Sequence, residues 1–487
     1  MINFLRGNQV FGKPETTDRQ PKNRLRLWAA VCAFAGVLGV ANVFAGGVTW
    51  ISSTPEEPWK TEAAPELIVS NPKTPATVRV VSDKSFQTME GFGACFTELS
   101  WAALGKATQE DRDKVLQALF SNDGCAFTLG RIPIGANDFA LDWYSLDETP
   151  GDLALRDFSI ERDKKNLIPF IKAAMAIRPE LKCFGSPWSP PSWMKENKTY
   201  NGGVLKWEPE ILRCYATYLA RWAEEYRKAG VNVIAIAPQN EPNILSAYPS
   251  CKWTGERLRD FIADYLGPEL KKRKTKVDIW LGTLNLDLGS DSVNDRLLTV
   301  MESPKASALI KAVCFQYDSK KQIGSVSLTY PDKKIMQSET ECNSGKNSWD
   351  DAQRLYGLMK YYLDNNTNGY FAWNMVLNET GMSTWKWRQN ALITVDQNSG
   401  KVTMNGEYYV MRHFSQFVKP GAKRVLSSGS WNDRVAFVNP DKSTVVVISN
   451  PANQVQPFVL TVPGYGKADT ISVKVAAHSV NTFVLKP

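Results

Sequence analysis

The sequence predicts a (β/α)8 TIM barrel with an additional all-β sandwich domain. Three observations carry this reading. Short apolar runs between residues 91 and 373 alternate with amphipathic stretches, and about eight of them have strand length. Polar and aromatic clusters follow nearly every run, as the loops at the carboxyl face of a barrel require. After about Ser415 the pattern changes to short alternating runs divided by Asn-Pro, Pro-Gly and Ser-Gly turns. A doubly wound open sheet is the alternative for the first part, and the clusters after the strands disfavour it.

Residues 1–26 are polar and basic and end K-N-R-L-R. Residues 27–51 are almost wholly apolar, and a run of 25 can span a bilayer. Basic residues before it and Glu56 and Glu57 after it orient the amino terminus to the cytoplasm and the body outside. Two readings stand: an uncleaved type II signal-anchor, or a signal peptide cut after Val43-Phe44-Ala45. The long polar lead and long apolar run favour the anchor. Residues 52–75 are rich in Pro, Glu and Thr and read as a linker. Ala76–Ser82 alternates as a strand, so residues 76–90 and 415–487 are assigned to the sandwich and 91–414 to the barrel.

Within the barrel the expected strands are the run holding Gly91–Cys95, then Phe127–Pro133, Cys183–Ser186, Val233–Ala237, Ile279–Gly282, Ala312–Gln316, Lys334–Gln337 and Gly369–Trp373. Helical patterns cover Asp163–Ile177, Glu208–Ala229, Thr254–Lys272 and Trp349–Leu363. The sandwich strands are Arg434–Val438, Thr444–Ile448, Phe458–Val462, Ile471–Val475 and Thr482–Leu485.

Composition excludes several chemistries. His413 and His478 are the only histidines, which leaves almost nothing for a serine or cysteine triad and no HExxH zinc site. The eight cysteines have no CxxC spacing, so no metal cluster is expected; Cys183 and Cys314 sit in apolar runs and read as buried thiols. Net charge is +8, with basic residues clustered in the first 26 positions and in Lys271–Lys276, but no nucleic-acid motif surrounds them. Acid/base work therefore falls to Asp, Glu, Lys or Tyr. Sixteen tryptophans and sixteen tyrosines suit a large core and also platforms on which a sugar's C–H face can pack.

Two strand ends carry candidate chemistry. Ile234–Asn243 reads I-A-I-A-P-Q-N-E-P-N, and its prolines stop the strand and leave Glu241 at the carboxyl end. Lys334–Gly345 reads K-I-M-Q-S-E-T-E-C-N-S-G and carries Glu339 and Glu341. About three βα units of roughly 30 residues separate the two sites, which puts them on strands 4 and 7, facing each other across the mouth. Two opposed carboxylates without metal or histidine are the equipment of glycosidases. Glu341 rivals Glu339, lying two residues further out on the same face.

Taken in order, further motifs resemble glycoside hydrolase family 30, the glucosylceramidase-like retaining glycosidases. They are G-F-G-A-C-F-T-E (91–98), R-I-P-I-G-A-N-D-F (131–139), S-P-W-S-P-P-S-W-M-K (186–195) and A-P-Q-N-E-P-N (237–243), then R-D-F-I-A-D-Y-L-G-P (259–268), Q-S-E-T-E-C (337–342), W-N-M-V-L-N (373–378) and H-F-S-Q-F (413–417). The match runs from about residue 76 to 487. The resemblance implies a barrel with a sandwich formed from both ends of the homologous region. It implies Glu241 as acid/base and Glu339 as nucleophile. It assigns sugar hydroxyls to Glu98, where the family usually has aspartate, aromatic walls to Trp188 and Trp373, and the sugar 2-hydroxyl to Asn240. Tyr317 stands where it can hold the nucleophile, and Tyr248 also matches. Phe315-Gln316, Q-S-E-T-E-C and S-T-W-K-W-R-Q-N (383–390) look more like the branch with the β-1,6-glucanases.

The expected function is therefore a retaining β-glycosidase acting on β-glucosides, glucosylceramidase-like, by double displacement. An endo-β-1,6-glucanase of the same family is the alternative. A catalytically inactive, membrane-tethered carbohydrate-binding protein is the alternative of a different class, and an adhesion protein using its sandwich is a third. Expected partners are a glycolipid or β-glucan, and a membrane through residues 27–51 if that segment stays uncleaved. No cofactor, metal or nucleic acid is expected, and the body is expected outside the cytoplasm.

Overall fold

Strands buried on both faces build the centre of the molecule. In the computed structural model, which describes residues 47–70, 75–285, 293–342 and 344–486, eight strands close into a parallel barrel. In chain order these strands 1 to 8 are Gly91–Cys95, Leu129–Pro133, Lys182–Ser186, Val233–Ile236, Asp278–Leu284, Ile310–Gln316, Lys334–Glu339 and Gly369–Asn374. Strands 2 and 8 are buried at every position, as strands of a parallel sheet covered on both faces are. Phe184, Trp280 and Phe371 fill the interior with Leu129, Ala235 and Met336, so the barrel is a packed core and not a pore.

The helices form the outer layer. Pro209–Lys228 begins with proline in its first turn, ends with Arg227 and Lys228, and buries Ile211, Leu212, Tyr215, Leu219, Trp222 and Tyr226 at helical spacing. Each aliphatic side chain so buried contributes roughly 1.5–3 kcal/mol. Gly185 on strand 3 lets that helix approach: a Cβ there would lie 2.1 Å from the Trp222 ring.

Among the described residues the sandwich has nine strands in one hydrogen-bonded order, folded over an apolar cluster that includes Val80, Val446, Phe458, Ile471 and Phe483. Val78–Thr88, which precedes the barrel, lies between Lys423–Ser428 and Gln456–Thr461. The strand Lys423–Ser428 is absent from the sequence expectation because it opens on two charged residues and alternates only partly.

One boundary is corrected. Val48–Ser53 is a sandwich strand paired antiparallel with Ser479–Leu485, and Lys60–Thr61 pairs with it in turn. Thus Val48–Ile51 does not belong to the apolar segment, nor Ser52–Thr61 to a linker. Trp50 stacks on Phe483 at 5.5 Å and its Nε1 donates to Asn481 Oδ1 at 3.0 Å. The remainder of the apolar segment, through residue 46, lies outside the described residues, as does its anchor or signal role. Among the described residues no helix is long and apolar enough to cross a membrane.

Barrel and sandwich are bolted together by buried polar contacts. His413 Nδ1 meets Thr482 Oγ1 and its Nε2 meets Ser53 Oγ, each at 2.8 Å. Burial pushes the His413 imidazole down to about 3 and keeps it neutral. The seven described cysteines, Cys183 and Cys314 among them, are buried free thiols.

Candidate active site

Strand 4 ends at Ile236 and the chain then turns sharply between two prolines. Glu241 takes a left-handed conformation, φ +47°, and its N–H donates to Thr283 O at 2.9 Å. Such backbone is costly for a residue with a side chain and persists where its surroundings fix it. The buried Glu241 carboxylate accepts from Tyr248 Oη at 2.7 Å and Asn240 Nδ2 at 3.5 Å on Oε2, and from Asn285 Nδ2 at 2.6 Å on Oε1. All three donors are neutral.

Glu339 ends strand 7 and is also buried. Its Oε2 accepts from Arg131 Nη1 at 2.7 Å and Gln316 Nε2 at 3.4 Å, and its Oε1 from Tyr317 Oη at 3.3 Å. Burial pushes the Glu339 carboxyl up to about 7; Arg131 opposes the shift and the Glu241 charge adds to it. The guanidinium against Oε2 favours leaving the negative charge on Glu339. Glu341, the rival, is turned away: Lys320 Nζ holds it at 2.6 Å and Arg354 Nη1 lies at 3.7 Å.

Arg131 joins the two halves of the site. It is fully buried on strand 2 and donates to Glu339, to Ser338 O at 3.0 Å, to Ser186 Oγ and, through Nη2 at 2.6 Å, to Asn240 Oδ1. Thr283 Oγ1 also donates to Asn240 Oδ1, at 2.7 Å. Two donors on the oxygen fix the amide, so Nδ2 faces Glu241 and the substrate side. The guanidinium lies 4.6 Å from the Trp188 ring centre and 5.4 Å from that of Trp373. Trp188 and Trp373 pack at 5.3 Å, and the buried Trp373 Nε1 has no partner.

Arg131 opens the motif at 131–139 but has no role in the sequence expectation. The available signal was a lone cation inside a strand that is otherwise apolar or glycine. Asn285 and the donor function of Gln316 were also missed, because their partners lie 44 and 23 residues away in the chain.

Glu98, to which the resemblance assigns sugar hydroxyls, has both carboxylate oxygens engaged inside the protein. Its Oε1 accepts from Arg162 Nε and Asn166 Nδ2, both at 3.2 Å, and its Oε2 from Arg162 Nη2 at 2.9 Å and Leu141 N at 2.8 Å. A carboxylate offers about four acceptor positions, and internal donors fill them. Asp138 has the open capacity instead. It is buried, its Oδ1 has no partner, and burial followed by the Glu339 charge pushes its carboxyl well up. Among the described residues no group of three or more metal-ligating side chains occurs.

Comparison with known proteins covers both domains. Residues 89–418 match the Glycosyl hydrolase family 30 TIM-barrel domain and residues 421–483 its beta sandwich domain. The chain is 30% identical to putative glucosylceramidase 2 of Caenorhabditis elegans over 442 residues, 86% of this chain and 85% of that protein. It is 30% identical to lysosomal acid glucosylceramidase of Mus musculus, covering 82% of each. Among solved structures, SrfJ from Salmonella typhimurium superposes with TM-score 0.82 at 26% identity, covering 91% of this chain and all of that one. The endo-β1,6-glucanase BT3312 superposes with TM-score 0.80 at 25% identity, with the same coverage. Barrel, sandwich and full-length similarity converge: the chain belongs to glycoside hydrolase family 30.

Proposed function

We propose that the chain is a retaining β-glycosidase that cleaves β-glucosidic bonds by double displacement. The observation that carries this is the pair of buried carboxylates at the ends of strands 4 and 7, one among neutral donors and one against a guanidinium. Glu339 attacks the anomeric carbon while Glu241 gives its proton to the leaving oxygen. The C–O bond to the leaving group breaks and an ester to Glu339 forms. Glu241 then takes a proton from water, whose oxygen attacks the anomeric carbon and frees Glu339. Asn240 Nδ2 donates to the sugar 2-hydroxyl, a contact that strengthens in the transition state. Asp138 Oδ1 accepts from a hydroxyl further round the ring, and Trp188 and Trp373 pack against the ring. The glucosylceramidases and the β-1,6-glucanase among the relatives support a β-glucoside as substrate.

The test uses 2,4-dinitrophenyl β-glucoside, whose leaving group needs no proton. Glu339→Gln is expected to lose on the order of 10^4-fold or more in kcat/KM. Glu241→Ala is expected to form the glycosyl-enzyme and stall there, with azide restoring turnover as β-glucosyl azide. Full activity in Glu339→Gln, or a product of inverted configuration, ends the reading. An inactive wild type that still binds β-glucan favours the carbohydrate-binding alternative.

The same reading puts the body outside the cytoplasm. Six basic residues ahead of the apolar run support export, as does the lysosomal relative. With residues 47–51 in the sandwich, residues 27–46 are still about the length that crosses a bilayer. Anchoring through them is tested by fractionating membranes: full-length chain in the soluble fraction ends it, and an amino terminus at Gly46 establishes cleavage.

A further inference from the structure

We propose that Trp385 and Trp387 form the leaving-group subsite, and that the group it takes is a second hexopyranose ring rather than a lipid chain. This rests on the glycosidase reading and names its substrate class.

The acid/base must touch the leaving oxygen, so what lies beyond Glu241 meets the leaving group. Tyr248, whose hydroxyl binds Glu241, packs its ring on Trp385 at 5.2 Å. Trp385 meets Trp387 edge-to-face at 4.8 Å, and Trp387 is 39% exposed. The three rings therefore run as one path from the acid/base to solvent. Their loop is also tied to the other end of the site, where Thr384 N and Oγ1 both donate to Asp138 O, at 2.9 and 3.0 Å. Trp143 Nε1 braces it through Thr384 Oγ1 at 3.2 Å. Three hydrogen bonds on Thr384, the residue before Trp385, thus hold the loop against the site.

Two features select a sugar. An indole offers a flat face to the axial C–H groups of a β-linked pyranose, and rigid rings lose little entropy on contact. The Trp385 Nε1 is buried and has no partner. An alkyl chain leaves that donor as it is in the free protein, whereas a sugar hydroxyl that reaches it adds a hydrogen bond.

The test is transfer from the glycosyl-enzyme, because the acceptor must occupy this subsite and both transfer and hydrolysis use Glu241 as base. Their ratio cancels any disturbance of that base. The full chain in detergent is charged with 2,4-dinitrophenyl β-glucoside and offered either a β-1,6-linked glucose disaccharide or octanol. Wild type is expected to favour the disaccharide. Trp385→Ala is expected to lower the ratio of disaccharide transfer to hydrolysis about tenfold or more, and Trp387→Ala several-fold. Trp385→Phe, which keeps a ring without the N–H, falls between. A preference for octanol, or a disaccharide ratio unmoved by both alanine variants, overturns the subsite. Absence of dinitrophenol release in wild type overturns the glycosidase reading itself, and this inference with it.

Discussion

Two buried carboxylates, Glu339 and Glu98, each face an arginine, yet only one has room for a reaction. Glu98 has donors on both oxygens, two on each, and lies beside a half-exposed Arg162 that is shared with Asp142. Glu339 is met by one close charged donor and two longer neutral ones, beside Asp138 with an oxygen unpartnered and Trp373 with an N–H unpartnered. Burial and charge are the same in kind at the two places. The difference is hydrogen-bonding capacity left open, and that is what a substrate hydroxyl can use.

The strongest way to break this comparison is at Arg131. Arg131→Met removes the cation from Glu339 and one of the two donors from Asn240, and leaves a buried carboxylate without its counter-ion. Turnover of an aryl β-glucoside is expected to fall about 10^3-fold or more. Arg131→Lys keeps the charge but not the fork, and is expected between that value and wild type. Equal activity in both variants removes Arg131 from the machinery.

Next come the two acids that the sequence and the structure rank differently. Asp138→Ala is expected to lower kcat/KM about 10- to 100-fold, with the melting temperature nearly unchanged. Glu98→Gln is expected to do the reverse: activity per folded molecule stays within a few-fold, while stability drops by about 1–3 kcal/mol in urea unfolding. If Glu98→Gln costs activity and not stability, its saturation by Arg162, Asn166 and Leu141 is not what governs it.

A smaller effect separates the two tyrosines. Tyr317 donates to Glu339, and that bond favours the charged carboxylate. Tyr317→Phe is expected to raise the pKa of Glu339, so the acidic limb of the kcat/KM profile moves to higher pH, with about a tenfold loss at the acid end. Tyr248→Phe removes the contact to Glu241 instead and leaves that limb in place. A limb that moves down in Tyr317→Phe contradicts the assignment of Glu339 as the ionised partner.

Much of this site was legible because strand ends are marked in one dimension. Pro238 and Pro242 bracket Glu241, and Q-S-E closes the run Lys334–Glu339, so the strand count alone set them on opposed strands. What lay hidden depends on pairings across the chain. Glu98 looked available because nothing near it in sequence fills its oxygens; Arg162 and Asn166, 64 and 68 residues on, do so. Arg131 looked like a motif letter because its partners come from four other strands or the loops that follow them. Val48–Ser53 was masked by the apolar run ahead of it, and only its register with Ser479–Leu485 marks where the period changes.

His413 carries the same lesson to the smallest effect. Like Glu98 it is buried with its hydrogen-bonding atoms in use, between Thr482 and Ser53, so its substitution is expected to leave activity per folded molecule alone. Its signature is in pH dependence. The folded imidazole titrates at about 3, against about 6.5 in an unfolded chain. Below about pH 6.5 the unfolded state binds a proton that the folded state refuses, so stability present above that pH is lost as pH falls toward 3. The slope is about 1.4 kcal/mol per pH unit. Urea midpoints at pH 7 and pH 5 for wild type and His413→Gln measure it directly. The variant starts lower through lost contacts but is expected to fall less between the two pH values. A wild-type slope matched by the variant means that the proton uptake lies elsewhere, and Glu407, pushed up to about 7 by burial, contributes with the opposite sign.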